Sequence, residues 1–203
     1  MVGSVTAVPP SRPLPAPDDR TRHWYENALG WTTVPGEPVR LVTGLRFDVL
    51  DVPAEAGLAA LRHLAPDSPV ALKGDRMRLL TAVGSAEELP GLLDWLEWGA
   101  LAPDLVALGA GGRTEAPLPP GPGPVGGPQI LPDGCRPLQG AAVWLRPPVP
   151  GREVEASLPT LSAVGGGGGG RGAPDLARLV DTVATRCHRA RLRRAGVQPL
   201  AFS

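Results

Sequence analysis

Three stretches of this chain are too rich in proline and glycine to pack, and they decide how much is left to fold. Residues 1–17 are dense in proline, residues 117–140 mix proline with glycine, and Gly165 to Gly170 is an unbroken glycine run. Proline lacks a backbone donor and glycine loses the most backbone freedom on ordering, so neither favours a regular, packed element. The 27 glycines and 26 prolines are about a quarter of the 203 residues, and the remainder still suffices for one hydrophobic core. The expected organisation is a disordered arm (1–17) and a domain (18–163) interrupted by a long loop (117–140). A glycine linker (164–173) and a basic C-terminal helix (174–196) follow.

Within the domain the apolar pattern changes period several times. "DDRTRHWYENALG" reads as a helix with an acidic N-cap at Asp18 or Asp19 and a stop at Gly30. "WTTVPG" and "PVRLVTG" are β-like. "RFDVLDV" is a strand that runs straight into "PAEAGLAALRHLA", a helix with Pro53 at its start and an apolar stripe of Leu58, Leu61 and Leu64. "PVALKG" and "RMRLLTAV" form a hairpin about Gly74-Asp75. "SAEELPGLLDWLEWG" starts like a capping box, Ser85 with Glu88, and carries a face of Leu89, Leu92, Leu93 and Leu96. "DLVALG", "RTEAPL" and "AAVWLRPP" complete the strands. Hairpins interspersed with helices specify an α+β fold, with a mixed, largely antiparallel sheet and flanking helices.

Twenty acidic residues balance twenty basic ones, so any attraction to nucleic acid must be local. Lys73 is the only lysine among the twenty basic residues; that arginine bias, with abundant Ala, Gly and Pro, fits a high-GC bacterial genome. Cys135 and Cys187 show no CxxC spacing, which argues against a disulfide framework or zinc site and suits a reducing cytoplasm. No secretory leader or run of ~18 apolar residues is evident, so a cytoplasmic protein without a membrane partner is expected. His23 and His63 lack metal-ligand spacing, and Trp95 and Trp98 read as packing residues rather than base-stacking platforms.

The strand "RFDVLDVP" carries two aspartates three positions apart. Side chains alternate across a strand, so Asp48 and Asp51 should face opposite sides, and Asp51 shares its side with Pro53. A two-metal site needs carboxylates that converge, and a regular strand here cannot supply both. The expectation is one solvent-facing acid and one that caps the following helix or edges a cleft.

The order "ALGWTTVPG", "VRLVTGLRFDVLDVPAEAGLAAL", "GDRMRLLTAV", "DLVALGAGGRTEAPLP" and "VWLRPP" resembles the N-terminal prim-pol domain of bifunctional DNA primase/polymerases, of the archaeo-eukaryotic primase superfamily. The similarity spans about Ala28 to Pro148 and lies in order and spacing. It implies a primase-like fold around an Asp-x-Asp metal strand, a nucleotide-contacting His and a third acid. Asp51 falls on the first metal aspartate and Pro53 on the second. Met77 falls where the family has its His, and a thioether cannot replace that donor; Arg76 and Arg78 beside it can still attract phosphate. Gly57, Leu61, Gly111, Gly112, Ala116 and Pro117 match scaffold positions, while Asp104 is out of register for the third acid.

The C-terminal segment has an apolar stripe of Leu176, Leu179, Val180, Val183, Cys187 and Ala190. Its end is crowded with Arg186, Arg189, Arg191, Arg193 and Arg194. A docking helix whose cations offset its dipole accounts for part of this. Five arginines exceed that need and suit phosphate contacts with DNA or RNA. The expected role is therefore a catalytically degenerate primase/polymerase-like domain, regulatory or accessory, that binds nucleic acid or nucleotide and needs no cofactor. Two alternatives stand beside it. One is an active nucleotidyltransferase using Mg or Mn, with Asp51 joined by Asp48, Asp104 or Glu115; the other is a protein-interaction module without nucleic-acid affinity.

Overall fold

The computed structural model describes residues 17–101, 103–121, 140–161 and 175–196. The proline-rich arm up to residue 16, most of the 117–140 loop and the 164–173 linker lie outside the described residues. The chain opens with α1 (Pro17–His23), continued by one wider helical turn over Trp24–Ala28. The strands are β1 (Thr33–Val34), β2 (Arg40–Val42), β3 (Asp48–Pro53), β4 (Val70–Lys73), β5 (Arg76–Thr81), β6 (Val106–Leu108), β7 (Arg113–Glu115) and β8 (Val143–Arg146). Between them lie α2 (Ala54–Ala60) and α3 (Ser85–Trp95), and α4 (Leu176–Gly196) follows. This is an α+β fold, and every pairing within its two sheets is antiparallel.

Five strands lie in the order β6-β3-β5-β4-β8, and β1-β2-β7 form a smaller sheet. Alternation along the central strands gives the large sheet two apolar faces. Leu50, Val52, Val70, Met77 and Leu79 pack beneath α2, α3 and α4. Val49, Ala71, Leu80 and Trp144 face the opposite way, onto Tyr25, Trp31, Leu41 and Phe47. Each fully buried large side chain contributes about 1.5–3 kcal/mol of transfer free energy. The polar tips in the second core are satisfied: Trp144 Nε1 donates to the Tyr25 hydroxyl at 2.9 Å, which donates to the Pro117 carbonyl at 2.7 Å. The β4–β5 hairpin turns on Gly74-Asp75, with Gly74 at φ 58°, the positive φ that primed turns require.

Three local expectations are corrected. Leu58 is exposed, and the buried face of α2 is Ala56, Gly57 and Ala60. The helix lies so close to the sheet that a Cβ on Gly57 would come 2.4 Å from Met77 Sδ, so small residues face the core within α2, while Leu61 and Leu64 of the expected stripe join the core just beyond its end. The Ser85–Glu88 capping box does not form; Gly84 is the N-cap at φ 92° without a side-chain cap, and Ser85 is buried as the first residue of α3. Trp95 is 72% exposed rather than packed. The basic C-terminal segment does form the expected helix. Asp175 Oδ1 accepts the Ala177 N–H at 2.9 Å as its cap, and Leu176, Leu179, Val180, Val183 and Cys187 are buried in the helix-side core.

Candidate functional site

The two aspartates of β3 go to opposite faces, as their spacing requires, but neither is the solvent-facing acid expected. Asp48 is 1% exposed on the helix side, where its Oδ2 accepts the Ala86 N–H at 3.0 Å. It thereby caps α3, beyond α2, β4 and β5 in the chain, instead of the helix that follows β3. Burial raises its pKa; hydrogen bonds from Ala86, Gly84 and Ser85 oppose this, and the nearby Glu87 charge adds to it. Its Oδ1 has no hydrogen-bond partner. Asp48 is thus committed to α3 and does not join the other acids.

Asp51 lies on the other face, directly opposite Arg78 in the β3–β5 register. Its Oδ1 accepts from Arg76 Nε at 2.5 Å and its Oδ2 from Arg78 Nε at 3.3 Å. Arg76 also donates to Asp104 Oδ1 at 2.8 Å and to the Asp51 carbonyl at 2.9 Å. Arg78 reaches the Glu115 carbonyl at 3.2 Å, and the Glu115 carboxylate is held by Lys73 and by the Ala142 N–H. Burial alone would raise the Glu115 pKa, but Lys73, the Ala142 N–H and Arg78 outweigh it and hold the carboxyl below its usual value. Three of the four candidate acids, Asp51, Asp104 and Glu115, are therefore joined through Arg76, Arg78 and Lys73 into one ionic chain across neighbouring strands.

That chain does not fit a divalent metal. A guanidinium sits between Asp51 and Asp104, both oxygens of Asp51 are engaged by arginine, and Pro53 offers no donor. Among the described residues no group of three or more His, Cys, Asp or Glu could hold a metal ion. Met77 is fully buried beneath Gly57, on the opposite face from Asp51. A side chain there cannot share a ligand with Asp51, whatever its chemistry. Of the glycines matched to the primase pattern, Gly57 and Gly112 serve close packing, since a Cβ on Gly112 would lie 2.5 Å from Thr43 Oγ1, whereas Gly111 has open space around it and is required by its φ of 74°.

The arginine-rich end of α4 gathers elsewhere, over the junction between β3 and α2. A pocket of about 500 Å³ lies there, within the range of small-ligand sites. Arg186, Arg191, Arg194 and His188 line it from α4, Trp98 lines it from beyond α3, and Cys187, Leu101 and Pro103 contribute apolar surface. Arg191 donates to the Leu101 carbonyl at 3.1 Å, and Arg193 pairs with Glu55 at 2.8 Å at an exposed position. Arg186, Arg189 and Arg194 have no hydrogen-bond or ion-pair partner among the described residues. Glu55, Lys73 and Trp98 are site residues that sequence reasoning missed. Lys73 was signalled by being the only lysine, but Glu55 has no local signature because its partners lie some 130 positions away in the chain.

Among the described residues no helix is long and apolar enough to cross a membrane. Searches by family model, by sequence against curated proteins and by fold against solved structures found no match to this chain.

Proposed function

We propose that this chain is a catalytically degenerate primase/polymerase-like domain that binds nucleic acid as a regulatory or accessory protein. The observation that carries the reading is the contrast between its charges. The acids at the relic position are neutralised by internal cations, whereas Arg186, Arg189 and Arg194 in the last turns of α4 make no direct ion pair or hydrogen bond with a carboxylate among the described residues. Unpaired arginines on one helix end attract phosphates, and their number exceeds what the helix dipole accounts for. The antiparallel α+β architecture and the strand–helix unit at β3–α2 are compatible with a primase-like scaffold; the resemblance in order and spacing supplies that part of the reading.

Binding of labelled single- and double-stranded DNA, measured by fluorescence anisotropy at low and moderate salt, tests it. The double variant Arg189→Ala/Arg194→Ala should weaken binding about ten-fold or more. It should also flatten the dependence of log K on log salt by roughly 1.5, since each lost phosphate contact removes about 0.7–0.9. Absent affinity, or affinity indifferent to salt and to these changes, removes the electrostatic reading and leaves the protein-interaction alternative. Template-directed nucleotide incorporation with Mg or Mn would overturn the non-catalytic half.

A further inference from the structure

The pocket under α4 is built differently from a surface that only tracks a nucleic-acid backbone. It is concave, it is lined by apolar residues such as Leu101, Pro103 and Cys187, and three arginines of one helix line it as well. Arg186 and Arg194 lie eight residues apart on one helical stripe, so their Cα atoms are about 12 Å apart along the axis, with Arg191 between them. The Trp98 ring packs against His188 at a centroid distance of 5.8 Å and is fixed by its Nε1 donating to Asp181 at 2.9 Å. A positioned indole beside three guanidinium groups matches a ligand with a planar ring at one end and phosphate at the other.

The acids at the pocket decide whether such an anion can enter. Asp104 is already paired with Arg76 and Glu55 with Arg193, which leaves Asp75 as the lining carboxylate without an ion-pair partner among the described residues. Glu55 stands in the first turn of α2, lines the pocket and is largely exposed. Its carboxyl is held below the usual range by its hydrogen bond to Arg193 and by that residue's charge, with Arg186 and Arg194 adding to the effect. The α4 arginines thus already stabilise one anion at this position, and that anion belongs to the protein.

We propose that the pocket between α4 and the β3–α2 junction binds a nucleoside phosphate, held by Arg186, Arg191 and Arg194 and stacked on Trp98, with the exposed Glu55 carboxylate at its rim opposing the phosphate charge. The site adjoins the ionic chain at Asp104, which lines it and is held by Arg76, whereas Asp51 and Glu115 do not line it; it stands independently of strand binding by α4. Arg189 is exposed and does not line the pocket, so the two activities separate by mutation.

Isothermal titration of the full chain with AMP, ADP, ribose 5-phosphate and inorganic phosphate tests the site. AMP and ADP should bind, ADP more tightly, and the two ring-free compounds should bind at least ten-fold more weakly. Arg186→Ala/Arg191→Ala should weaken ADP about ten-fold or more, the loss expected for charge-assisted hydrogen bonds. Trp98→Ala should bring AMP down to the level of ribose 5-phosphate. Glu55→Gln should tighten ADP several-fold, a gain that a residue needed only for folding cannot produce. Melting temperatures of the variants, measured alongside, identify any loss caused by unfolding, and Arg189→Ala should leave ADP affinity unchanged. Failure of both nucleotides to bind at millimolar concentration overturns the proposal, as does binding unaltered by the Arg186/Arg191 and Glu55 changes. Either result can coexist with DNA binding that still depends on Arg189.

Discussion

The arginines of β5 and those at the end of α4 are the same residue type put to opposite uses. Arg76 and Arg78 are largely buried, and their donors are taken up by Asp51, Asp104 and the Asp51 and Glu115 carbonyls. Arg189, Arg193 and Arg194 are exposed, and only Arg193 among them has an ion-pair partner. A guanidinium whose donors are satisfied inside the fold holds elements together and has little left for a ligand. One whose donors face water contributes almost nothing to stability and is free to bind. Partner availability, not residue type, separates scaffold from interface in this molecule.

The comparison breaks most sharply at Arg78. Arg78→Ala should cost about 2–3 kcal/mol in urea unfolding, because it leaves the half-buried Asp51 short of a partner and the Glu115 carbonyl unpaired; the exposure of the pair keeps the loss below that of a fully buried one. A loss under about 0.5 kcal/mol would mean that the ionic chain is not structural.

A smaller effect should come from Asp48, the acid committed to α3. Its folded pKa lies above the unfolded value, so the protonated form favours the fold. That contribution is complete below the unfolded pKa and is lost as pH rises through the folded one. Asp48→Asn carries no such titration. Its stability relative to the parent should therefore improve as pH rises from about 4 towards neutrality, by less than the loss at Arg78, in parallel thermal melts. A difference that stays flat over this range would show that the carboxylate is not perturbed by burial.

The smallest change is expected at Arg189. Replacement by alanine should alter unfolding free energy by less than about 0.5 kcal/mol while weakening DNA binding. A substantial stability loss there would erase the contrast between the two arginine sets.

Element by element, the strands and helices follow the periodicity of the chain because short-range pattern and turn chemistry act locally. The Gly74-Asp75 hairpin, the β3–α2 junction and the apolar stripe of α4 all form where alternation and helical spacing place them. Leu58 escaped that logic because closeness of packing, set by Met77 on another element, excludes a large side chain from the core face of α2. Ser85 escaped it because a buried carboxylate from β3 caps α3 in place of a local side chain.

The sequence by itself determined the α+β class, the opposite facing of Asp48 and Asp51, and the basic end of α4, since each depends only on residue type and spacing along the chain. Tertiary structure alone decided which charges meet. It drew Asp51, Asp104 and Glu115 into a chain with Arg76, Arg78 and Lys73 and set Glu55 against α4. Coulomb and hydrogen-bond energies fall off over a few ångströms of space, and positions distant in sequence have no fixed separation until the chain is folded.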